Sequence, residues 1–286
     1  MKIDEFLLLE KLMTNMNSYA KLSEQNLEIG KKWLIIAKDD SQISRLLYKN
    51  KHYAGAAYHL QQAFEKLTKG YYILTGKKTP EEARDHQFVL NALKGEIKGD
   101  FVKDFVKLSG FLNNREFSLV PVENLLQNIE KSEDDLRKIS RGEINKILEF
   151  ILINENNILS KEIIKKVESK LKEKRRRGWI KQLLIKFTKS RIRDSDLELA
   201  LSPEAISNQA YFMTLSVRLH LLSLLTFLHF NTPRYPYDKK SEVNFFDYTT
   251  RLGIVKSINK FLKIFDKIIS TFEPEQTTKK KRKQNK

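Results

Sequence analysis

Apolar residues recur at helical spacing along most of this chain, and glycine or proline seldom interrupts them. The strongest run covers residues 52–75, where Tyr53, Leu60, Phe64 and Leu67 fall on one face of a helix. The chain has 10 Gly and 6 Pro in 286 residues and is rich in Leu, Ile, Lys and Glu, which favour helices. The sequence therefore predicts an all-α protein. The sequence shows no repeat with a period of about 20–50 residues, so a solenoid is not predicted.

Other segments show the same periodicity and capping signals. Gly76 is predicted to end the 52–75 helix, and Thr79 to Glu82 form a capping box that opens the next one. The nearly uncharged stretch 204–230 carries too many polar residues for a membrane span, so we expect a buried bundle helix. The main helices beside 52–75 are predicted at 30–49, 80–98, 204–230 and 242–271, with shorter ones at 101–112, 122–139, 142–155, 160–174 and 178–190. The core face of the 242–271 helix is predicted to carry Phe246 and the apolar residues from Leu252 to Ile269.

Several classes of site are excluded by what the sequence lacks. Without cysteine there is no disulfide, thiolate metal site or cysteine nucleophile. The five histidines show neither the i, i+4 pairing nor the HExxH motif of a helical zinc site, so no metal is predicted. Glycine-rich phosphate loops and the GxSxG nucleophile motif are missing too, and we predict no cofactor. The first residues do not resemble a secretory signal, so a cytoplasmic location is expected.

The net charge of +17 is concentrated in two places. Residues 170–193 hold eleven Lys and Arg against one acid, and six more cations lie in the tail after residue 278, which we expect to be disordered. Such clusters attract phosphates. Alternatively, the 170–193 stretch is a solvated amphipathic helix or, less simply, a membrane-surface helix. The predicted nucleic-acid contacts are Arg175, Arg176, Arg177, Trp179 and Lys181.

Two helices carry polar side chains in register with their apolar faces. Asp40 shares a stripe with Trp33, Ala37 and Ser44, although a small rotation of the helix would leave its carboxylate in water. On the 52–75 helix, His59, Gln62, Lys66 and Lys69 form a second stripe, opposite the apolar one. These side chains either line a cleft for a phosphate or simply face solvent, with Glu65 pairing with Lys69.

Three segments resemble a known family. Trp33, Ala37 and Asp40, followed by the run YAGAAYHLQQAFEKLTKG from Tyr53, are similar to the signature of the HEPN domain (higher eukaryotes and prokaryotes nucleotide-binding). Arg84-Asp85-His86 resembles a short element of that family, and residues 233–238, PRYPYD, resemble the turn before its last helix. The resemblance covers about 30–98 and 215–271.

The resemblance implies an up-and-down helical bundle, usually dimeric, in prokaryotic defence or toxin–antitoxin systems. The family's partners include separate nucleotidyltransferase-type antitoxins, whose Gly-Ser and Asp-x-Asp pattern this chain lacks. The expected organisation is an N-terminal helical extension (1–29), a bundle in two parts (30–99 and 204–272), an inserted basic helical region between them (100–203) and a disordered basic tail (273–286).

Three functions remain open at this point. Many HEPN proteins are metal-independent ribonucleases with Arg, four to six residues, then His; here Arg234 is not followed by such a histidine. A rearranged catalytic site would use His86, His229 and Arg234. The binding hypothesis instead assigns nucleotide or RNA contacts to Asp40, His59, Gln62, Glu65, Lys66 and Lys69. A third hypothesis is a protein-interaction module whose basic insertion docks on an acidic partner.

Overall fold

A computed structural model describes residues 24–76, 78–84, 140–157, 215–216, 218–227, 229 and 245–272. Four α-helices have defined bounds, and residues 215–216 and 218–227 are also helical; we call that segment α4. The described residues contain no β-strand, which confirms the all-α prediction. None of their helices is long and apolar enough to cross a membrane. The helices are α1 (Glu24–Lys49), α2 (Tyr53–Leu74), α3 (Arg141–Asn157) and α5 (Gly253–Ser270), and short 3-10 helices cover Glu82–Arg84 and Phe245–Asp247.

The first two helices form a tight antiparallel hairpin. Lys51, with φ of 64°, reverses the chain between them, and the His52 amide donates to the Leu47 carbonyl at 2.9 Å. Near the other end of the hairpin Gly30 and Gly70 face each other: a Cβ on Gly70 would lie 3.2 Å from the Gly30 carbonyl oxygen and 2.8 Å from Leu34 Cδ2. The absence of side chains at these two positions therefore sets how closely the helices approach.

The hydrophobic core is built around α2, which is buried on most of its circumference. Phe64 meets Phe261 and Phe265 of α5 edge-on, at centroid distances of 5.9 and 5.6 Å. From the other helices, α3 contributes Ile144, Ile147, Leu148 and Ile151 to the same core, and α4 contributes Leu215, Leu219, Leu221, Leu222, Leu224 and Leu225. The stretch predicted as an insertion thus supplies at least one helix, α3, to the core that holds the hairpin.

The segment between α2 and the 3-10 helix Glu82–Arg84 is capped at both ends, as the sequence predicted. Gly76 has φ of 67°, and its amide donates to the Ile73 carbonyl at 3.0 Å. Thr79 and Glu82 form the reciprocal capping box: the Thr79 amide donates to the Glu82 carboxylate at 2.8 Å, and the Glu82 amide donates to the Thr79 hydroxyl at 3.3 Å. A second box, between Ser140 and Glu143, starts α3 in the same way and was missed in the sequence.

Two predicted helix starts are wrong. The first helix was expected to begin at residue 30, yet α1 already covers the described residues from Glu24, and Gly30 lies inside it, where it faces Leu74 and Gly70. The last helix was expected from residue 242, yet α5 begins at Gly253. Before it, the Thr249 amide donates to the Asp247 carbonyl at 2.8 Å, a local turn that competes with helix formation.

Phe246 illustrates the consequence of the second error. As part of a helix from residue 242 it was predicted on the core face, but it lies in the 3-10 helix and is 72% exposed. The remainder of the predicted core face, from Ile254 to Ile269, is buried as expected. The short helices predicted at 101–112, 122–139, 160–174 and 178–190 lie outside the described residues, as do residues 85–98 and the tail. The prediction of 142–155 is confirmed by α3.

The close approach of α1 and α2 gives a test. We expect Gly70→Ala to lower the free energy of unfolding by about 1–2 kcal/mol, because overpacking against a backbone carbonyl outweighs the better helix propensity of alanine. Gly55→Ala in the same helix is the control: its Cβ would meet the flexible end of Leu47 at 3.1 Å, so we expect no loss of stability. Chemical denaturation measures both; equal effects of the two substitutions would contradict the close-packing argument.

Candidate functional site

Asp40 is buried between α1 and α2, and two side chains of α2 bind its carboxylate. His59 donates from Nδ1 to Oδ1 at 2.8 Å, and the Lys66 ammonium donates to Oδ2. His59 and Lys66 are seven residues apart, two helical turns, so they project from one face of α2 on either side of Asp40. We call these three residues the Asp40 cluster. The alternative in which Asp40 faces water is wrong, since its side chain is 8% exposed.

The electrostatics of the cluster favour an ionised Asp40. Burial by itself raises the pKa of this carboxyl group, but the hydrogen bonds and positive charge of His59 and Lys66 outweigh burial, so the pKa lies below its usual value. Because Oδ1 accepts the Nδ1 proton of His59, the carboxylate also fixes the orientation and the tautomer of the ring. Asp40 therefore anchors two side chains of the neighbouring helix.

Both partners of Asp40 are partly exposed and keep nitrogen hydrogen-bonding capacity that Asp40 does not use. The side chains of His59 and Lys66 are 26% and 21% exposed. An ammonium group has three N–H donors and Lys66 uses one of them on Asp40; His59 uses one of its two ring nitrogens. Within the part of the chain that the structure describes, neither residue makes another hydrogen bond. The cluster thus presents fixed, partly exposed nitrogen atoms to solvent.

The other predicted binding residues lie in a second group, which we call the Glu65 cluster. Lys69 pairs with Glu65 at 2.8 Å, as one alternative had predicted from the spacing, but the pair is buried: their side chains are 2% and 7% exposed. The Lys69 ammonium also lies 5.3 Å from the centre of the Trp33 ring. Gln61 and Gln62 donate to the other Glu65 oxygen at 2.8 and 3.5 Å. This cluster satisfies its own charges inside the hairpin.

Of the three predicted catalytic residues, His229 lies in the part of the chain that the structure describes. His229 is 1% exposed, and its Nδ1 lies 2.7 Å from the Tyr248 hydroxyl. His86 and Arg234 lie outside the described residues, as do the predicted nucleic-acid contacts Arg175, Arg176, Arg177, Trp179 and Lys181. In the described ranges, no group of three or more His, Asp or Glu side chains forms a metal-binding arrangement.

Sequence reasoning missed several buried polar contacts. Gln61 was left out of the polar stripe, although its i, i+4 spacing to Glu65 was a usable signal. The contacts between α2 and α4 had no such signal, because their partners are distant in the chain. Thr68 and Ser223 share a hydrogen bond of 2.7 Å, and the Tyr72 hydroxyl lies 2.5 Å from His220 Nε2.

The depressed pKa of Asp40 predicts how an Asp40→Asn variant depends on pH. An amide keeps the shape but places no charge beside Lys66, so we expect about 1–2 kcal/mol lower stability at neutral pH. This difference is fully present above the unfolded-state pKa of about 3.9 and fades as pH falls through the lower folded-state pKa. Denaturation at pH 7, 5 and 3 measures it. Asp39→Asn, next in sequence but exposed, is the control, and a difference from wild type that persists unchanged at pH 3 would contradict the assignment.

One protein-family model matches the chain: the HEPN domain, over residues 31–118. No curated protein and no solved structure matches it. The matched segment contains α2 and α1 from residue 31 onward, and with them both polar clusters, whereas the resemblance noted over 215–271 lies outside the match. The HEPN match connects the chain with nucleotide- or RNA-related function in general. The predicted resemblance is thereby confirmed over residues 31–118, which match the HEPN domain model.

Proposed function

We propose that this protein binds a nucleotide or an RNA phosphate at the Asp40 cluster. The observation that carries the proposal is that one buried carboxylate holds two partly exposed side chains in place: Lys66, whose ammonium donates to a phosphate, and His59, whose second ring nitrogen does so when the ring is protonated. Charge-assisted hydrogen bonds from fixed donors to phosphate oxygens are stronger than neutral ones, and donors already ordered lose less entropy on binding. The HEPN match supports a phosphate-containing ligand over other anions.

The two clusters divide the predicted binding residues between two roles. His59 and Lys66 make the ligand contacts, while Asp40 positions them. Gln62, Glu65 and Lys69 support the hairpin from inside, because a ligand would have to break the buried Glu65–Lys69 pair to reach the Lys69 ammonium. The basic stretch with Arg175, Arg176, Arg177, Trp179 and Lys181 is proposed to add nucleic-acid contacts, on the strength of its charge alone.

We place this activity in a prokaryotic defence or toxin–antitoxin system, as the family resemblance implies, with a separate nucleotidyltransferase-type antitoxin as a partner. The proposed organisation keeps a bundle in two parts, 30–99 and 204–272, around the region 100–203. The packing of α3 against α5 in a shared core supports a region that is integrated with the bundle rather than tethered to it.

A second candidate is a metal-independent ribonuclease, and one observation favours it. Asp40 fixes the tautomer of His59 so that, in the neutral ring, Nε2 is a proton acceptor on the exposed side. In the proposed step Nε2 takes the proton of a ribose 2′-hydroxyl, and the 2′ oxygen bonds to phosphorus. The bond to the 5′ oxygen breaks, that oxygen takes a proton from water, and the resulting hydroxide recovers the proton from His59. The site of His86, His229 and Arg234 remains the other possibility for this activity.

We also propose a homodimer. Five large apolar side chains of α1 point to solvent: Leu27, Ile35, Ile36, Ile43 and Leu46 are 37%, 61%, 44%, 39% and 60% exposed. Residues 35 and 46 are eleven apart, so they share one face of the helix. A second copy of the chain would remove this surface from water.

Binding and cleavage are tested together with labelled mononucleotide and single-stranded RNA in EDTA. We expect His59→Ala and Lys66→Gln each to weaken binding about tenfold or more, because each removes a charge-assisted hydrogen bond. Lys78→Gln, a half-exposed lysine paired with Glu82, is the control and should bind as wild type does. If RNA is also cleaved, His59→Ala should abolish cleavage and Asp40→Asn should shift its pH profile.

Wild-type affinity in both His59→Ala and Lys66→Gln would contradict binding at the Asp40 cluster. Cleavage that survives His59→Ala but disappears in His229→Ala with Arg234→Ala would move the catalytic site to those residues. Protein that binds no nucleotide and no RNA, but captures one acidic protein, would favour the interaction-module hypothesis instead.

The dimer proposal predicts a change of mass in solution. Wild-type protein should sediment as a dimer, and Ile35→Gln combined with Leu46→Gln should sediment as a monomer with unchanged helical circular dichroism. Lys78→Gln, a half-exposed lysine outside α1, should remain dimeric. A monomeric wild type, or a double variant that is still dimeric, would contradict a dimer through this face.

A further inference from the structure

The outer face of α5 carries a stripe of exposed lysines. Lys256, Lys260, Lys263 and Lys267 follow one another at spacings of four, three and four residues, and all four are exposed. At 1.5 Å per residue the stripe is about 16 Å long. The opposite face of the helix, from Ile254 to Ile269, is buried in the core, so the stripe is held on a rigid support.

The positive charge of this stripe is not neutralised by its surroundings. The acid on the same face, Asp266, pairs with Arg45 of α1 at 2.8 Å. Lys260 donates to Asn145 of α3, a neutral amide, at 2.8 Å. Within the described residues no carboxylate forms an ion pair with Lys256, Lys260 or Lys263. Among the side chains of α3 whose exposure the structure describes, the charged ones that are not buried are Arg141, Glu143, Lys146 and Glu149; α3 packs beside α5, and these four carry no net charge.

The residues exposed on the lysine face of α5 limit the kinds of partner that it can bind. Between the lysines it exposes Asn259, Asp266 and Ser270, and the large apolar side chains of α5 are in the core. A helix that lies on a membrane needs a free apolar face to insert, and α5 has none to offer. Lysine ammonium groups are point charges on flexible side chains, so they do not impose a fixed hydrogen-bond geometry. A row of them suits a ligand with regularly repeated anionic groups.

We propose that the lysine stripe of α5 binds the phosphate backbone of single-stranded RNA. It is a second surface, separate from the Asp40 cluster, and it contacts several consecutive phosphates without reading the bases, because no exposed aromatic ring lies among the lysines. The choice of RNA rests on the proposed function; the position of the surface does not. Binding through it is expected to depend steeply on salt and weakly on sequence.

The test compares two triple variants of the full-length chain that lose the same charge. One changes Lys256, Lys260 and Lys263 to Gln; the control changes Lys32, Lys51 and Lys78 to Gln, which lie off the stripe. Fluorescence anisotropy with labelled oligouridylate, at salt concentrations from about 50 to 200 mM, gives the slope of log affinity against log salt. Each lost phosphate contact reduces that slope by about 0.7 for a single strand, so the stripe variant should lose about 2 and the control nothing.

The outcomes separate this inference from the proposed function. If the stripe variant keeps the wild-type slope, or loses no more than the control, the inference is overturned. Preferential binding of wild type to vesicles with anionic lipid or to polyglutamate, with no RNA binding, overturns it as well. A reduced slope in the stripe variant together with wild-type binding in His59→Ala and Lys66→Gln would support the stripe while rejecting the Asp40 cluster; the reverse pattern would reject the stripe alone.

Discussion

A buried carboxylate between two helices must have its charge matched, and Asp40 meets this requirement through His59 and Lys66 of the facing helix. The match requires α1 and α2 to approach closely and in one register. The same approach places Trp33 near the Lys69 ammonium, and the Ser44 hydroxyl where it donates to the Ala56 carbonyl at 2.7 Å. The hairpin is thus fixed by polar contacts along its length as well as by apolar packing.

The polar interior of the hairpin restricts how it can change. Replacing one member of the Asp40–Lys66 or Glu65–Lys69 pair leaves the other charge buried without its partner. This lowers the stability of the fold by more than the pair itself contributes. Such groups favour one register over its alternatives, because a shift of either helix would separate Asp40 from both His59 and Lys66 at once. A rigid hairpin of this kind suits a site whose outward-facing donors must stay in place before a ligand arrives.

The surfaces proposed for ligands lie on different elements and use charge differently. At the Asp40 cluster, Lys66 and His59 are ordered by a carboxylate, which limits their freedom and gives directed hydrogen bonds. On α5, Lys256, Lys260 and Lys263 have no carboxylate partner among the described residues. We propose that they act through long-range attraction. Recognition of one phosphate and non-specific binding of a strand are physically distinct. We propose that the Asp40 cluster does the first and the lysine stripe of α5 does the second.

The sequence alone determined the all-α class, the strongest helix and its caps, because periodicity and capping are local properties that neighbouring residues settle. It also carried the HEPN resemblance, and it identified Asp40 and the α2 polar stripe as unusual. The continuation of α1 before residue 30 and the start of α5 at Gly253 were not accessible. Gly30 lies inside a helix, where it faces Leu74, and a turn between Asp247 and Thr249 precedes α5. Only the tertiary structure decided that Asp40 is buried against His59 and Lys66 while Lys69 turns inward to Glu65. Helical periodicity says which residues share a face, but the packing of another helix decides whether that face meets water.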